Sequence, residues 1–494
     1  MSTEKKSLGF IGLLQSFTKP FWIASIMELF ERWAWYGLFA VLALYLTGST
    51  DEGALGFTHI ERGEIMSYVT FILYLLPIVT GAISDKIGYK LSLIIAYVLL
   101  AFGYYFMGEV TSYSSVFLMF LVVAVGAAMF KPVASAIVTK STDDRNSSFG
   151  FGVFYMMVNI GGFFGPLFSA KLRDEYGWKI VFVMAATAIV VNLIIVIFFF
   201  KEPNREKNSD SLWKSIVKSL VNIWEALSDM RLTLLLLIMV GFWVMFNQLF
   251  YTLPVFIEEW VNTRPVYDLF HKILPPIGEF LKNKDGGINP EMIVNLDAFF
   301  IIILQMGISM TILKWKPISA MMSGIIIAMI GIGISFYTNN SLYTVLGILI
   351  FAIGEMTSNP KFSDYIAKIS PKGKEALYMG TYFLPIAFAN LLTKWITGDL
   401  YEKYSDKVAI IRGDLSNKNI ELPEISDSYT KNNFYSDAAG ELQMSQEQMT
   451  TYMWDNYHPS NIWYIIAGIG MITIAGLLIY NTMINKMDKK KSNA

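Results

Sequence analysis

The sequence predicts an all-α membrane protein with twelve transmembrane helices in two six-helix bundles. Its 494 residues are 54% hydrophobic and only 16% charged, with a mean hydropathy of +0.46. The apolar residues form long blocks, and roughly 20 consecutive apolar residues are enough to cross the hydrocarbon core of a bilayer. A long polar gap divides these blocks six and six, which predicts the two bundles.

The N-terminal bundle, predicted as residues 1–200, contains apolar blocks near 20–47, 64–84, 91–108, 114–138, 149–170 and 179–200. The C-terminal bundle, predicted as residues 232–494, contains blocks near 232–261, 296–314, 317–337, 341–367, 376–396 and 461–485. The linker 201–231 places Trp213, Leu220 and Trp224 on one helical face, which favours a helix lying on the membrane surface. Two long loops, 262–295 and 397–460, carry no chemical motif.

The distribution of lysine and arginine predicts the orientation. Basic residues such as Lys90, Arg145 and Lys316 occupy alternate gaps, and such gaps face the cytoplasm. We therefore expect a multi-pass protein of the cytoplasmic (inner) membrane with both termini in the cytoplasm and both long loops outside. Lys171 and Arg173 are the exception, because they fall in an outer gap.

The composition argues against several classes of protein. A net charge of −1 gives no reason to expect a nucleic-acid partner, and the absence of cysteine excludes thiolate chemistry. The three histidines, His59, His271 and His458, are dispersed in gaps and loops, which disfavours a metal site. No nucleophile–base pair or metalloprotease motif lies in the spans, so we expect no enzyme, no cofactor apart from protons, and no obligate protein partner.

A short cytoplasmic gap carries a motif of its own. The segment GAISDKIGYK, residues 81–90, resembles the loop G-x-x-x-D-x-x-G-R/K-K/R of the major facilitator fold. Gly81 and Gly88 would permit close helix approach and a tight turn, while Asp85 is placed to act as a gate between the bundles. With the six-plus-six pattern, this motif predicts the major facilitator fold, in which two bundles rock about a central site.

Charged residues interrupt the first span. Glu28, Glu31 and Arg32 share one helical face with Tyr36, because positions three and four apart are neighbours on a helix. Each charge costs on the order of 3 kcal/mol near the bilayer centre, so such residues generally face a cavity. One arginine cannot neutralise two carboxylates, and we expect one of them to carry a proton. The alternative is a structural ion network.

Three further charges lie in other spans. Lys131 precedes Pro132 in the fourth span, Glu355 lies in the tenth, and Asp297 opens the eighth. Arg32 and Lys131 suit a carboxylate, whereas Glu355, with or without Asp297, suits an ammonium group. A zwitterion fits such a cavity better than a neutral sugar does. A structural role for Lys131, and a plain helix-start role for Asp297, are the alternatives.

Several motifs resemble the proton-dependent oligopeptide transporters of the major facilitator superfamily. Residues 28–37, ELFERWAWYG, match the family pattern E-x-x-E-R-F-x-Y-Y-G except at Trp33 and Trp35. Similar matches are the lysine–proline pair at Lys131, the segment FYMMVNIGG at 154–162, Tyr74 in the second span, and GEMTSNP at 354–360.

The resemblance implies import of di- and tripeptides driven by the proton gradient. By this analogy Arg32 and Lys131 would bind the peptide carboxylate and Glu355 the amine, while Glu28 and Glu31 would couple protons. The substrate-binding set that the resemblance implies also includes tyrosines and amides, namely Tyr36, Tyr74, Asn159, Asn247, Gln248 and Tyr382.

The chain also departs from the family pattern. Asn247, followed by Gln248, stands where the seventh span usually has an acidic residue, and Asp297 replaces an asparagine in LDAFFIIIL. Tyr382 replaces a common tryptophan. We expect Asp297 to join Glu355 around the amine or to take part in proton coupling. Transport of another zwitterionic or anionic solute, such as an amino-acid derivative, or a role as a transporter-derived sensor, remains the alternative.

Overall fold

The computed structural model describes residues 10–143, 146–202 and 211–492, and helices form nearly all of the regular structure in them. The helices of the N-terminal half and the linker are α1 Phe10–Gln15, α2 Lys19–Thr47, α3 His59–Leu75, α4 Pro77–Ile87, α5 Tyr89–Met107, α6 Tyr113–Lys140, α7 Ser147–Tyr176, α8 Lys179–Phe198 and α9 Leu212–Leu227.

The second half carries more short helices. They are α10 Met230–Tyr251, α11 Leu253–Trp260, α12 Arg264–Ile273, α13 Pro275–Leu281, α14 Pro290–Val294, α15 Leu296–Ile312, α16 Pro317–Phe336, α17 Ser341–Ile369, α18 Glu375–Met379, α19 Phe383–Lys394, α20 Tyr401–Tyr404, α21 Lys407–Asn417, α22 Lys431–Glu441, α23 Gln446–Tyr457 and α24 Ile462–Ser492. A π-helical turn, Trp395–Leu400, joins α19 to α20.

The predicted all-α membrane fold is confirmed, although fewer helices than twelve qualify as spans by length and composition. Nine described helices do so, and α3 with α4, bent by 47°, would be a tenth. The predicted first span, α2, is long enough at 29 residues, but its charges Glu28, Glu31 and Arg32 make it less apolar. In the predicted eleventh span, α19 has only 12 residues before the π-helical turn.

Glycines allow helices to pack closely within each half. A Cβ atom at Gly161 of α7 would lie 2.5 Å from the Leu29 carbonyl oxygen of α2. In the second half, a Cβ atom at Gly354 of α17 would lie 2.3 Å from the Ala328 nitrogen of α16. Small residues are needed at such contacts because they let two backbones approach directly. The close α2–α7 contact fixes the height and rotation of the charged face of α2.

The two halves meet along α3, which packs against α19 and the following π-helical turn. Arg62 of α3 is fully buried and donates to the Thr397 carbonyl oxygen and, at 3.0 Å, to the Thr397 hydroxyl. We call this side of the molecule the outer end, following the predicted orientation. The domain boundaries at 200 and 232 stay predictions.

Helix α9 occupies the opposite, inner end, where it packs against α4, α10 and α18. Its Trp213 and Trp224 side chains are 74% and 75% exposed. Exposed apolar residues on one face are typical of a helix at a membrane surface, as the sequence predicts for the linker. Glu225 on α9 also pairs with Lys374, 2.5 Å away, in the segment before α18.

Candidate functional site

The charged face of α2 forms the first part of the site. Arg32 Nε lies 2.5 Å from Glu31 Oε2 and 3.3 Å from Glu28 Oε1, and all three residues are buried. The helical spacing explains this geometry, since residues three and four positions apart project to the same side. The predicted cluster of two carboxyl groups around one guanidinium is therefore present.

Two tyrosines extend this wall towards Lys131. The Arg32 Cζ atom lies 5.6 Å from the ring centre of Tyr36, and the Lys131 amine lies 4.5 Å from the ring centre of Tyr74. Tyr36 is 36% exposed although it lies in the middle of a long span beside buried charges. The Tyr36 ring is thus accessible beside the buried charges of α2. Pairing with aromatic faces is a favourable environment for both cations.

Helix α7 lines the same side. Tyr155 is 56% exposed, and the Asn159 amide donates to the Tyr155 carbonyl oxygen at 2.9 Å. This bond leaves the Asn159 side-chain oxygen for another donor. One turn further on, Gly162 lies against the Tyr36 ring, so that α7 positions this ring as well.

Glu355 and Asp297 form the opposite wall. Asp297 is 4% exposed, and Glu355 is partly exposed. Their helices α15 and α17 pack together, and the Asp297 charge acts on Glu355. Among the described residues, Asp297 Oδ1 and Glu355 Oε2 are buried without a hydrogen-bond partner. A buried carboxyl oxygen without a donor is unfavourable, so the pair is suited to a ligand that supplies one.

Tyrosines connect the two walls. Tyr155 is within electrostatic reach of Glu355, Asp297 and Tyr36. Tyr382 is similarly close to Glu355, Tyr74 and Tyr155, and its hydroxyl donates to Asn359 Oδ1 at 2.6 Å. The cationic and anionic walls therefore belong to one tyrosine-lined site between the halves.

Asn247 and Gln248 are hydrogen-bonded within the second half. The Asn247 amide donates to Asn390 Oδ1 at 3.0 Å and to Thr393 Oγ1 at 3.1 Å. Gln248 is fully buried, donates to the Val244 carbonyl oxygen at 2.8 Å and accepts from Thr252. Both amides thus have partners within their own half. Their predicted contact with substrate stays a prediction.

Asp85 lies at the inner end of α4, away from the central site. Its carboxylate accepts from the Tyr89 hydroxyl at 3.4 Å, across the Gly88 turn, where φ is 105°. A positive φ at this turn explains the glycine of the motif. The predicted gating role of Asp85 stays a prediction.

A buried cluster that sequence patterns did not predict lies at the outer end. His59 Nε2 lies 3.3 Å from Asp406 Oδ1 and 3.5 Å from Glu259 Oε1, and Lys431 Nζ lies 3.1 Å from Glu259 Oε1. His59, Glu259 and Asp406 are close enough to ligate one metal ion. The positively charged Lys431 amine already contacts the Glu259 oxygen that would ligate the metal. These residues are therefore better suited to a network of ion pairs than to a metal site.

Charges within this cluster also shift the pKa of Lys431. Burial favours the neutral amine of Lys431, but the nearby Tyr435 and Glu259 charges raise its pKa above the ordinary value. This pairing joins the outer loop to Glu259 while α3 contributes His59 from the other half. Helix periodicity could not reveal the cluster, because its members come from distant segments.

Arg173, the exception to the charge rule, also joins the halves at the outer end. Its guanidinium lies 3.3 Å from Glu291 Oε1 and donates to Asn289 Oδ1 at 3.0 Å. The nearby Asn289 amide donates to Asp174 at 2.7 Å. These partners from the second half explain why a basic residue, Arg173, stands on the outer side.

The fold and the site together define a multi-pass membrane protein with a charged site between two helical halves. A model of the Major Facilitator Superfamily matches residues 21–392. The chain belongs to the Major Facilitator Superfamily.

Relatives point to one group within that superfamily. Dipeptide and tripeptide permease A of Pectobacterium carotovorum subsp. carotovorum is 29% identical over 188 residues, which cover 36% of this chain and 35% of the relative. The uncharacterized transporter YclF of Bacillus subtilis is 30% identical over 189 residues, which cover 37% of this chain and 36% of the relative. The aligned part of the chain thus spans little more than a third of these curated relatives.

Solved structures share the fold over nearly the whole chain. A peptide transporter POT in complex with sulfate has a TM-score of 0.69 and 16% identity, covering 97% of this chain and 96% of that chain. A POT family transporter in complex with 5-aminolevulinic acid has a TM-score of 0.68 and 17% identity, covering 97% and 98%. The predicted resemblance to the proton-dependent oligopeptide transporters is confirmed, and the structural likeness itself shows the fold.

Proposed function

We propose that this protein imports di- and tripeptides across the cytoplasmic membrane together with protons, by alternating access. The observation that carries the proposal is the separation of charge across one site. Arg32 and Lys131 stand on one wall, Glu355 and Asp297 stand on the other, and tyrosines lie between them. A peptide is a zwitterion with a carboxylate at one end and an ammonium group at the other, so it matches this arrangement.

The bound peptide would lie with its carboxylate towards Arg32 and Lys131 and its amine towards Glu355. Tyr36, Tyr74, Asn159 and Tyr382 would contact the peptide backbone, and Asn247 with Gln248 would support the wall behind it. Both ends then form charge-assisted hydrogen bonds, which are stronger than neutral ones. The names of the permease relatives support this assignment of substrate.

Proton coupling is proposed for the α2 cluster. Glu28 and Glu31 share Arg32, and binding of a substrate carboxylate by Arg32 would weaken its hold on them. A carboxyl group that loses its cationic partner takes up a proton more readily. The charge of Lys131 on α6 would influence how readily Glu28 and Glu31 take up a proton. Asp297 on α15 is the further residue predicted to take part in proton coupling.

Alternating access would require the outer end to open. Contacts of Arg62, Arg173 and Lys431 support an arrangement in which this end is closed while the central site is reached from the inner end. The proposed location is the cytoplasmic membrane with both termini in the cytoplasm, following the distribution of basic residues.

Uptake into proteoliposomes tests the substrate. Labelled dialanine should accumulate when the outside is acidic and should only equilibrate when the pH is equal on both sides. A neutral sugar serves as the control, because it lacks both charges. Failure to accumulate any peptide from a panel of di- and tripeptides would contradict the proposal.

A second candidate is another zwitterion, such as an amino-acid derivative. Two observations support this candidate. The site has a second carboxyl group, Asp297, and a structurally similar POT family transporter was solved in complex with 5-aminolevulinic acid. Competition against labelled dialanine separates the two. Inhibition by 5-aminolevulinic acid, with no inhibition by a peptide panel, would favour the second candidate.

A further inference from the structure

The anionic wall contains one carboxyl group more than a single ammonium group requires. Asp297 and Glu355 lie on packed helices and act on each other electrostatically. Asp297 is 4% exposed, and each residue has a buried carboxyl oxygen without a hydrogen-bond partner among the described residues. Two like charges held together in a poorly hydrated site repel each other unless a cation lies between or beside them.

The chain itself supplies no such cation in the part that the structure describes. Neither Asp297 nor Glu355 forms an ion pair with a basic side chain among the described residues, and one carboxyl oxygen of each is buried without a hydrogen-bond partner. The α2 wall is different, since Arg32 contacts both Glu28 and Glu31. The carboxyl groups of the second wall, in contrast, have no basic partner among the described residues.

The position of Asp297 at the start of a helix explains how one of the two unpaired carboxyl groups is tolerated, but not the other. It lies in the first turn of α15, where the helix dipole favours a negative charge. Glu355, however, lies in the middle of α17 and has no helix end to stabilise it. The unpartnered oxygens on both residues indicate a site for donors that come from outside the chain.

We propose that Asp297 selects peptides whose amino-terminal residue has a cationic side chain, so that the peptide brings two ammonium groups to the Asp297–Glu355 pair. This inference rests on the proposed peptide transport. The terminal amine would bind one carboxylate and the side-chain ammonium the other, and each ammonium carries three hydrogen-bond donors. Asp297 is then a specificity-determining residue, and Glu355 is the general anchor for the amine.

Competition for uptake of labelled dialanine tests this inference with matched peptides. Lysyl-alanine carries the second cation, norleucyl-alanine has nearly the same shape without it, and alanyl-lysine places it at the other end. In the wild type, lysyl-alanine should inhibit at about tenfold lower concentration than norleucyl-alanine, a difference of about 1.4 kcal/mol. Alanyl-lysine should show no such advantage over alanyl-norleucine.

Asp297→Asn should reduce the preference for lysyl-alanine over norleucyl-alanine to about twofold or less. The preference is the ratio of two inhibitory concentrations measured on the same variant, so it does not depend on how fast that variant transports, and thermal unfolding in detergent checks its folding. Asp297→Glu should keep the preference. Asp364→Asn is the matched control, because Asp364 is an exposed carboxylate on α17 that pairs with Lys368 instead.

The outcomes separate this inference from the proposed function. Dialanine uptake without a preference for lysyl-alanine, or a preference that persists in Asp297→Asn, overturns the role of Asp297 and leaves peptide transport standing. Absence of all peptide uptake overturns the proposed function. In that case the cation site is tested by thermal stabilisation of the protein with the diamine cadaverine. Stabilisation of the wild type that is lost in Asp297→Asn supports the cation site. Absence of stabilisation in the wild type contradicts it.

Discussion

In the proposed mechanism, peptide binding depends most strongly on Glu355. It lies in the middle of α17 with a buried, unpartnered oxygen, and it faces tyrosines in place of a basic side chain. A buried carboxylate of this kind offers a strong charge-assisted hydrogen bond to an incoming ammonium group. Its contribution should therefore appear in binding and much less in stability.

Glu355→Gln should abolish peptide binding and spare folding. The amide keeps the shape of the side chain but removes the charge that holds the amine, and we expect at least about a hundredfold loss of affinity, or about 3 kcal/mol. Affinity is measured by competition with labelled dialanine, and folding by thermal unfolding in detergent. A variant with wild-type affinity would contradict the role of the amine anchor.

Glu28 belongs to the proposed coupling cluster, 3.3 Å from Arg32. Glu28→Gln should prevent proton-driven accumulation while retaining exchange of labelled for unlabelled peptide, because exchange needs no net proton movement. The two assays are run on the same proteoliposomes. Loss of both would indicate a structural ion network, and retention of both would remove Glu28 from the coupling mechanism.

At the scale of elements, the contact between α2 and α7 positions the cationic wall. A Cβ atom at Gly161 would lie within 2.8 Å of the Arg32 Cβ atom and even closer to the Leu29 carbonyl oxygen. Such contacts require the backbone to move, whereas a Cβ atom at Gly152 of the same helix has open space around it.

Gly161→Ala should destabilise the protein by about 1–3 kcal/mol, as overpacking typically does, and should greatly reduce peptide uptake. The matched control, Gly152→Ala on the same helix, should leave uptake unchanged. Thermal unfolding and dialanine uptake are the measurements. Equal behaviour of the two variants would show that the close α2–α7 contact does not position Arg32.

The loop 397–460 contains a lysine with an unusual environment. Burial and the charge of Lys431 lower the pKa of Lys407 to about 8, although Glu259 opposes the shift. Between about pH 8 and 10.5 the unfolded chain keeps this proton while the folded protein releases it, so stability rises with pH across that window. Below about pH 8 the folded protein carries the cost of a charge in this partly buried position.

Lys407→Met should therefore raise stability at pH 7 and flatten the pH dependence between pH 8 and 10. Because Lys407 is partly exposed, the gain should be on the order of 1 kcal/mol. The exposed Lys403→Met serves as the control. A loss of stability at pH 7 would show that the bond from Lys407 to the Glu259 carbonyl oxygen, 3.0 Å long, outweighs the burial of its charge.

At the scale of the whole molecule, alternating access requires the outer contacts to separate. Helix α22 reaches across to the other half, where the Asn432 backbone nitrogen lies 3.3 Å from Ser49 Oγ and the Asn432 amide donates to Glu52 at 2.8 Å. Because the chain contains no cysteine, two introduced cysteines would be the sole thiols.

The double variant Ser49→Cys, Asn432→Cys should lose peptide uptake after oxidation and regain it after reduction. A disulfide at this contact would keep the outer end closed, and each single variant should transport under both conditions. Uptake and the extent of cross-linking are measured together. Uptake by a fully cross-linked protein would contradict the requirement for opening at this place.

The sequence predicted those parts of the molecule that depend on local spacing. Helical periodicity placed Glu28, Glu31 and Arg32 on one face, and the cost of charge in an apolar block identified Glu355. Contacts between distant segments were not predictable in this way. The hydrogen bond from the Asn247 amide to Asn390 could not be foreseen. His59 was set aside as a loop residue although it meets Asp406 from the other half.

Proton-coupled transport is tested most directly by the pH inside proteoliposomes when dialanine is added outside. If peptide and proton move together through the charged site, the interior should acidify on peptide addition, and Glu355→Gln should abolish this change. The dye pyranine, trapped inside, reports the pH. Uptake of labelled dialanine without acidification, or acidification that persists in Glu355→Gln, would contradict proton-coupled transport through this site.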